Sequence, residues 1–258
     1  MTTVGLLLMG VGIAEALHLM ANRRYVGNSP VCRVDTQDEV VALSFDDGPD
    51  EALTAEALST LGANGASATF FIQGNQVAGK ESLLRGELDG GMEIGNHTWS
   101  HPDLTDLSDD AAVEQIRRTE NVLHRTLGSD QVSDLFRAPL GLITASQAEM
   151  VRGLGFVPIH WSVPVDHFVG GLGMDPDQAA DALVAQIQPG DILLAHDGSY
   201  LDDRERRLAL ASIGLLLPKL RARGLEVTDV GHLLQLGTPV LARPRTWFWQ
   251  SGFECPDS

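Results

Sequence analysis

Seven apolar runs of strand length, separated by stretches with helical character, constrain this 258-residue chain more than any single motif does. They fall at 40–45, 68–72, 92–95, 134–137, 156–161, 191–196 and 225–228, and helices are predicted over 51–61, 81–88, 108–127, 145–154, 176–187 and 204–223. Val, Ile, Leu and Phe in short blocks suit strands covered on both faces, while the intervening segments carry helix punctuation. Thr144 with Gln147 and Asp175-Pro176 with Gln178 spell capped starts; Gly128, Gly155 and Gly224 stand where left-handed stops belong. Strict alternation of strand and helix leads to a parallel sheet with right-handed crossovers, either open or closed into a barrel.

The chain is 43% hydrophobic, enough for a full core, and α/β barrels of this length commonly form one domain. The expected division is an N-terminal apolar segment and linker over 1–34, the barrel over 35–240 and a C-terminal tail over 241–258. No internal repeat or low-complexity tract interrupts it. A formal charge of −17 argues against a nucleic-acid partner, which would require a basic surface to displace counterions. The charged run from Arg204 to Arg207 is read as a solvated loop and helix start. Cys32 and Cys255, near opposite ends, could pair in an oxidising compartment, but two cysteines do not make a disulfide framework and they are read as two free thiols.

Residues 4–13 form an apolar run followed by Glu15, His18 and the pair Arg23-Arg24. A spanning helix wants about 20 apolar residues, so this run is short for that purpose and closer to the core of an export signal, although no basic residue precedes it. It is read as an export signal or weak membrane anchor, which puts the domain outside the cytoplasm. The alternative is a cytoplasmic helix packed on the barrel.

Polar residues capable of chemistry gather at the C-terminal ends of the predicted strands, where parallel α/β architectures place their active sites. The first strand runs Val41-Ala-Leu-Ser-Phe45 straight into Asp46-Asp47-Gly48-Pro49. Side chains alternate along a strand, so the two carboxylates are expected on opposite sides, one suited to a metal and the other to a proton. His97 and His101 follow the third strand, four residues apart, close enough for both imidazoles to reach one point. Pro102 restrains His101 towards extended backbone. Two neutral imidazoles and one carboxylate with an open position make a catalytic metal set; zinc suits it best, and cobalt, nickel or iron can occupy the same shell. Arg137 ends the fourth strand, Trp161 the fifth with Asp166 and His167 behind it, and His196-Asp197-Gly198 the sixth.

Four segments carry a resemblance: Ser44-Phe-Asp-Asp-Gly-Pro49, His97-Thr-Trp-Ser-His101-Pro-Asp-Leu-Thr105, Phe136-Arg-Ala-Pro139-Leu-Gly141 and Ile192-Leu-Leu-Ala-His196-Asp197. In this order they resemble the signature segments of the polysaccharide deacetylase family, also called the NodB-homology group or carbohydrate esterase family four. The resemblance spans roughly 38–236. It implies a distorted (β/α)7 barrel and metal-dependent removal of acetyl groups from N-acetylated carbohydrate, such as a chitin- or peptidoglycan-like polysaccharide. It further implies that Asp47, His97 and His101 hold the metal, Asp46 is the base, Arg137 orients Asp46 and His196 is the general acid. Leu194 and Trp161 would wall the acetyl pocket, and the Leu140 N–H would face the oxyanion.

One segment departs from the family. Relatives place an Asp-x-x-Asp-Trp pattern where this chain has Pro164-Val165-Asp166-His167-Phe168 after Trp161-Ser162, so the carboxylate that supports the acid histidine falls to Asp166 at a shifted position. Leu140 also replaces a common Tyr. Two other classes compete with the hydrolase: an iron oxygenase using the same two-His, one-carboxylate set, which the strand–helix alternation disfavours, and a catalytically silent carbohydrate-binding relative, which the altered segment motivates. Esterase action on O-acetylated xylan is a further alternative.

Overall fold

The computed structural model of the chain describes residues 29–198, 203–244 and 253–256. The predicted signal or anchor over 4–13 lies outside them. Among the described residues no helix is long and apolar enough to cross a membrane.

The centre of the molecule is strand β2, Val40–Asp46, buried at every position. It follows β1, Val31–Asp35, and precedes helix α1, Leu53–Asn64. The chain continues through β3 (Thr69–Ile72), α2 (Glu81–Asp89), β4 (Glu93–Asn96), α3 (Asp109–Leu127), β5 (Leu135–Phe136), α4 (Ala145–Gly153), β6 (Val157–Pro158) and β7 (Val163–Pro164). Helix α5 (Pro176–Gln186), β8 (Ile192–His196), α6 (Asp203–Ala222) and β9 (Glu226–Thr228) complete the alternation. All the main pairings are parallel, in the order β6-β5-β4-β3-β2-β8-β7, with β9 beside the N-terminal half of β2. The curled sheet with helices packed round it is a distorted (β/α)7 barrel.

Local chemistry explains the helix ends. Thr144 and Gln147 form a reciprocal capping box at α4, and Asp175 and Gln178 do the same at α5. Gly128, Gly155 and Gly224 adopt φ of 97°, 97° and 86°, which a side chain would resist. The main core cluster joins Leu43, Phe45, Phe70 and Ile94 of the sheet to Leu210, Ile213 and Leu217 of α6.

Two expectations need correction. The run over 156–161 is not one strand: pairing with β5 ends at Pro158, which lacks the N–H a ladder needs, and the chain resumes against β8 as β7, so Trp161 falls in the crossing between them. Nor are the cysteines free. Cys32 and Cys255 are disulfide-bonded with Cα atoms 5.6 Å apart. The burial of Cys32 in β1 and of Phe253 beside Cys255 brings the two thiols together. Strand β1 crosses the expected boundary at residue 34, pairs antiparallel with β10 (Thr238–Leu241) and bridges Ile159 and Asp191 near the two edges of the sheet. Two short strands, β11 (Arg243–Pro244) and β12 (Phe253–Glu254), pair antiparallel beside it.

Candidate active site

Register brings the chemistry together before any side chain is considered. Asp46 pairs with His196 across β2 and β8, and Asn96 pairs with Phe136 across β4 and β5, so His97 and Arg137 leave adjacent strands at one level. A cleft of about 510 Å³ opens there, lined by Asp46, Asp47, His97, His101, His196 and Arg206, among others.

The expected separation of Asp46 and Asp47 does not hold. Strand geometry stops at Asp46, and Asp47 turns into the left-handed region at φ 76°, which carries its carboxylate back to the same cleft. The turn is made tight by two interlocked Asp-Gly pairs. A Cβ at Gly198 would lie 2.3 Å from the Asp47 backbone, and one at Gly48 would lie 2.3 Å from the Asp197 carboxylate. His101 likewise takes φ 56° rather than the extended backbone expected before Pro102. Its N–H donates to Thr98 Oγ1 at 3.2 Å, and Thr98 is itself at φ 66°. Helix α3 holds this loop through Gln115 Oε1, which accepts from the N–H groups of Trp99 and Ser100 at 3.1 and 2.9 Å. Positive φ at four non-glycine residues, Asp47, Thr98, His101 and Leu140, is local strain that the surrounding packing sustains.

Asp47, His97 and His101 converge, their ligand atoms all within 4.8 Å of one another. Asp47 Oδ1 lies 3.4 Å from His97 Nε2 and 3.2 Å from His101 Nε2, yet it is buried without a hydrogen bond. His97 Nδ1 sits 2.8 Å from the Arg137 carbonyl; as the donor there, it leaves Nε2 unprotonated for a ligand. Lone pairs aimed at one point from a carboxylate and two imidazoles fit a divalent transition ion. Burial would push the Asp47 carboxyl upwards, but His101, His97 and the charge of His196 outweigh it and hold the group well below the usual carboxylate range. For His97, burial favours the neutral ring, while Asp46, Asp47 and the Arg137 carbonyl raise its pKa more. An ion binding here displaces that proton, so binding weakens in acid.

Arg137 lies behind the cleft, fully buried. Its Nη1 donates to Asp46 Oδ1 and Ser44 Oγ, both at 2.8 Å, and Nη2 donates to the His160 carbonyl at 3.1 Å. The guanidinium also stacks over Phe71 at 4.2 Å. Asp46 is thereby fixed with its other oxygen 3.7 Å from His97 Nε2. On the opposite wall, His196 Nδ1 is hydrogen-bonded to Asp166 Oδ2. The shifted carboxylate reaches the histidine from the loop just ahead of a π-helical turn, His167–Gly171. Leu194, Trp161 and Leu140 line the same cleft, Leu194 buried and Leu140 61% exposed on a strained turn at φ 60°.

The sequence reading left two residues of this region without a role. Arg206 is not solvated: it is 4% exposed, donates to Asp166 Oδ2 and lies 3.6 Å from Asp47 Oδ2. Its neighbour Arg207 does face solvent, pairing with Glu56 at 2.8 Å. The signal was present, since Arg206 precedes Leu210, Ile213 and Leu217 on the buried stripe of α6. Asp197 is the second. It is fully buried, accepts from Thr54 Oγ1 at 2.5 Å, and burial together with the nearby Asp47 and Asp46 charges pushes its carboxyl up to about 7 against the pull of Thr54.

The family profile described as polysaccharide deacetylase matches residues 33–159. A chitooligosaccharide deacetylase of Rhizobium leguminosarum bv. trifolii is 30% identical over 219 residues, which is 82% of this chain and 99% of that protein. A peptidoglycan-N-acetylglucosamine deacetylase of Bacillus cereus is 29% identical, covering 76% of this chain and 68% of its own length. Among solved structures, a peptidoglycan N-acetylglucosamine deacetylase in complex with an aryl benzamide ligand superposes with a TM-score of 0.72 at 26% identity, covering 81% of this chain and 94% of that one. Identity that runs almost the full length of a relative, with a family profile covering the segment that carries both aspartates and both histidines, places this chain in the polysaccharide deacetylase family.

Proposed function

We propose that this chain hydrolyses N-acetyl groups of an acetylated amino-sugar glycan of the chitin or peptidoglycan kind. The observation that carries the reading is the arrangement across one cleft. Asp46, fixed by Arg137, and His196, fixed by Asp166, flank the cluster of Asp47, His97 and His101. A divalent ion, zinc or a related transition metal, would be held by Asp47, His97 and His101 and supplies the Lewis acidity an unreactive amide needs.

Asp46 takes the proton from the attacking water, and Arg137 keeps its carboxylate aimed at the cleft. The Leu140 N–H donates to the carbonyl oxygen as negative charge develops there; one such donor is worth about 3 kcal/mol of barrier. Because Nδ1 of His196 is engaged by Asp166, its Nε2 is the nitrogen left to protonate the departing amine. Leu194 and Trp161 enclose the acetyl methyl. The contact between Asp166 and His196 supports the hydrolase over the catalytically silent reading.

The proposed site of action is outside the cytoplasm, with the apolar N-terminal run as export signal or weak anchor. The Cys32–Cys255 bond supports an oxidising compartment.

Acetate release from N-acetylglucosamine oligomers, peptidoglycan and acetylated xylan, before and after chelation and with zinc restored, tests the reading. Release from either amino-sugar substrate is expected, with Asp46→Asn abolishing it while sugar binding persists. Release from xylan alone would make the chain an ester hydrolase. No release from any substrate with metal restored would end the proposal.

A further inference from the structure

We propose that Arg206 is a positioning residue that sets the carboxylate serving the metal site and the carboxylate serving the acid histidine in one fixed arrangement. Its Nη1 donates to Asp166 Oδ2, the same oxygen that meets His196 Nδ1. Its Nη2 lies 3.6 Å from Asp47 Oδ2, leaving Oδ1 of that group to face His97 and His101. A guanidinium presents its two NH2 groups at a fixed separation in one plane, so two carboxylates bound to it cannot move independently.

The packing of α6 gives Arg206 a reason to exist in this chain. Asp166 stands on a loop rather than at a strand end, and that loop rests on α6: a side chain at Gly170 would come within 2.9 Å of a Glu205 carboxylate oxygen. A Cβ at Gly171 would meet the His167 ring at 2.4 Å, so the turn is closed on itself. Glu205 therefore abuts the turn and Arg206 holds the carboxylate just before it. The Asp166 carboxylate, displaced along the chain from the usual position of this segment, is held against His196 by a residue of α6, beyond the intervening α5 and β8. Arg206 is almost fully enclosed, so its charge acts on these carboxylates with little solvent screening.

The activity part of the test rests on the deacetylase reading, and zinc affinity is included because it does not. In the full chain, Arg206→Gln should weaken zinc binding about 10-fold, measured by competition with a chromophoric chelator, and lower kcat on a chitooligosaccharide by about 10- to 100-fold. KM should stay within about twofold, because Arg206 does not need to touch the sugar. Arg206→Lys keeps the charge without the fork and should recover part of each loss. Should Arg206→Gln fold poorly, Asp166→Asn and the double variant Asp166→Asn with Arg206→Lys decide. Losses in kcat that are less than multiplicative support the shared arrangement, and fully multiplicative losses overturn it. Zinc affinity and kcat both within twofold of the parent in Arg206→Gln would also overturn it. If the parent releases no acetate from any substrate, the zinc measurement still decides the role of Arg206 while the deacetylase reading falls.

Discussion

Replacing Arg137 by methionine is the sharpest perturbation of the fold and the site together. Methionine keeps most of the volume against Phe71 and deletes three hydrogen bonds: to Asp46 Oδ1 at 2.8 Å, to Ser44 Oγ at 2.8 Å and to the His160 carbonyl at 3.1 Å. The Ser44 hydroxyl keeps its own bond to the Leu193 carbonyl at 2.7 Å, so little is lost there. The Asp46 carboxylate, 3% exposed, loses its guanidinium counter-charge. Breaking a buried ion pair from one side costs about 3–5 kcal/mol, so a destabilisation of that size is expected. Urea unfolding at fixed zinc concentration measures it. The double variant Asp46→Asn with Arg137→Met leaves neither charge behind and should recover at least about 2 kcal/mol of the loss. A single variant within about 1 kcal/mol of the parent, or a double variant no better than the single one, would refute the idea that Arg137 and Asp46 compensate each other's burial.

Glu93 tests a half-buried carboxyl on β4, away from the catalytic residues. Burial pushes its carboxyl up to about 7, against hydrogen bonds from Thr69 Oγ1 at 2.6 Å and the Gly231 N–H at 3.0 Å. A raised folded-state pKa contributes stability that is complete below the unfolded value and lost as pH rises through about 7. Glu93→Gln, which can still accept both bonds, should therefore gain on the parent by up to about 3 kcal/mol between pH 4 and pH 9 in urea titrations, and an unchanged difference would refute it. Gly198→Ala forces a methyl to 2.3 Å from the Asp47 backbone, so zinc affinity should fall at least about 10-fold, while Gly62→Ala on α1, which meets no neighbour within 4 Å, leaves it unchanged. Cys32→Ser with Cys255→Ser opens a cross-link spanning 223 residues and should cost about 2–5 kcal/mol; a parent whose unfolding midpoint ignores a dithiol reductant contradicts that bond.

Much of the architecture was legible because its signals are local. The caps at Thr144 and Asp175 and the glycine stops at 128, 155 and 224 act within a single helical turn, and they stand where the sequence places them. The break between β6 and β7 was also written in Pro158, but an apolar run containing proline reads as continuous until its hydrogen-bonding partners are known. Arg206 was hidden by composition: a cluster of charges looks solvated, and only the helical period relative to Leu210 and Ile213 separates the inward residue from Arg207.

From the sequence alone came the residue types, their order at the strand ends and the strand–helix alternation, because periodicity and turn chemistry depend on near neighbours. What needed the folded chain was every relation set by distant contacts. The left-handed Asp47 puts two carboxylates on one side of a strand end; α6 delivers Arg206 to a loop forty residues earlier in the chain; β1 and Phe253 bring Cys32 to Cys255. These depend on which surfaces are buried against each other and on which charges must then find partners. A one-dimensional pattern carries no such information, since the cost of an unpaired buried group exists only once the core has closed around it.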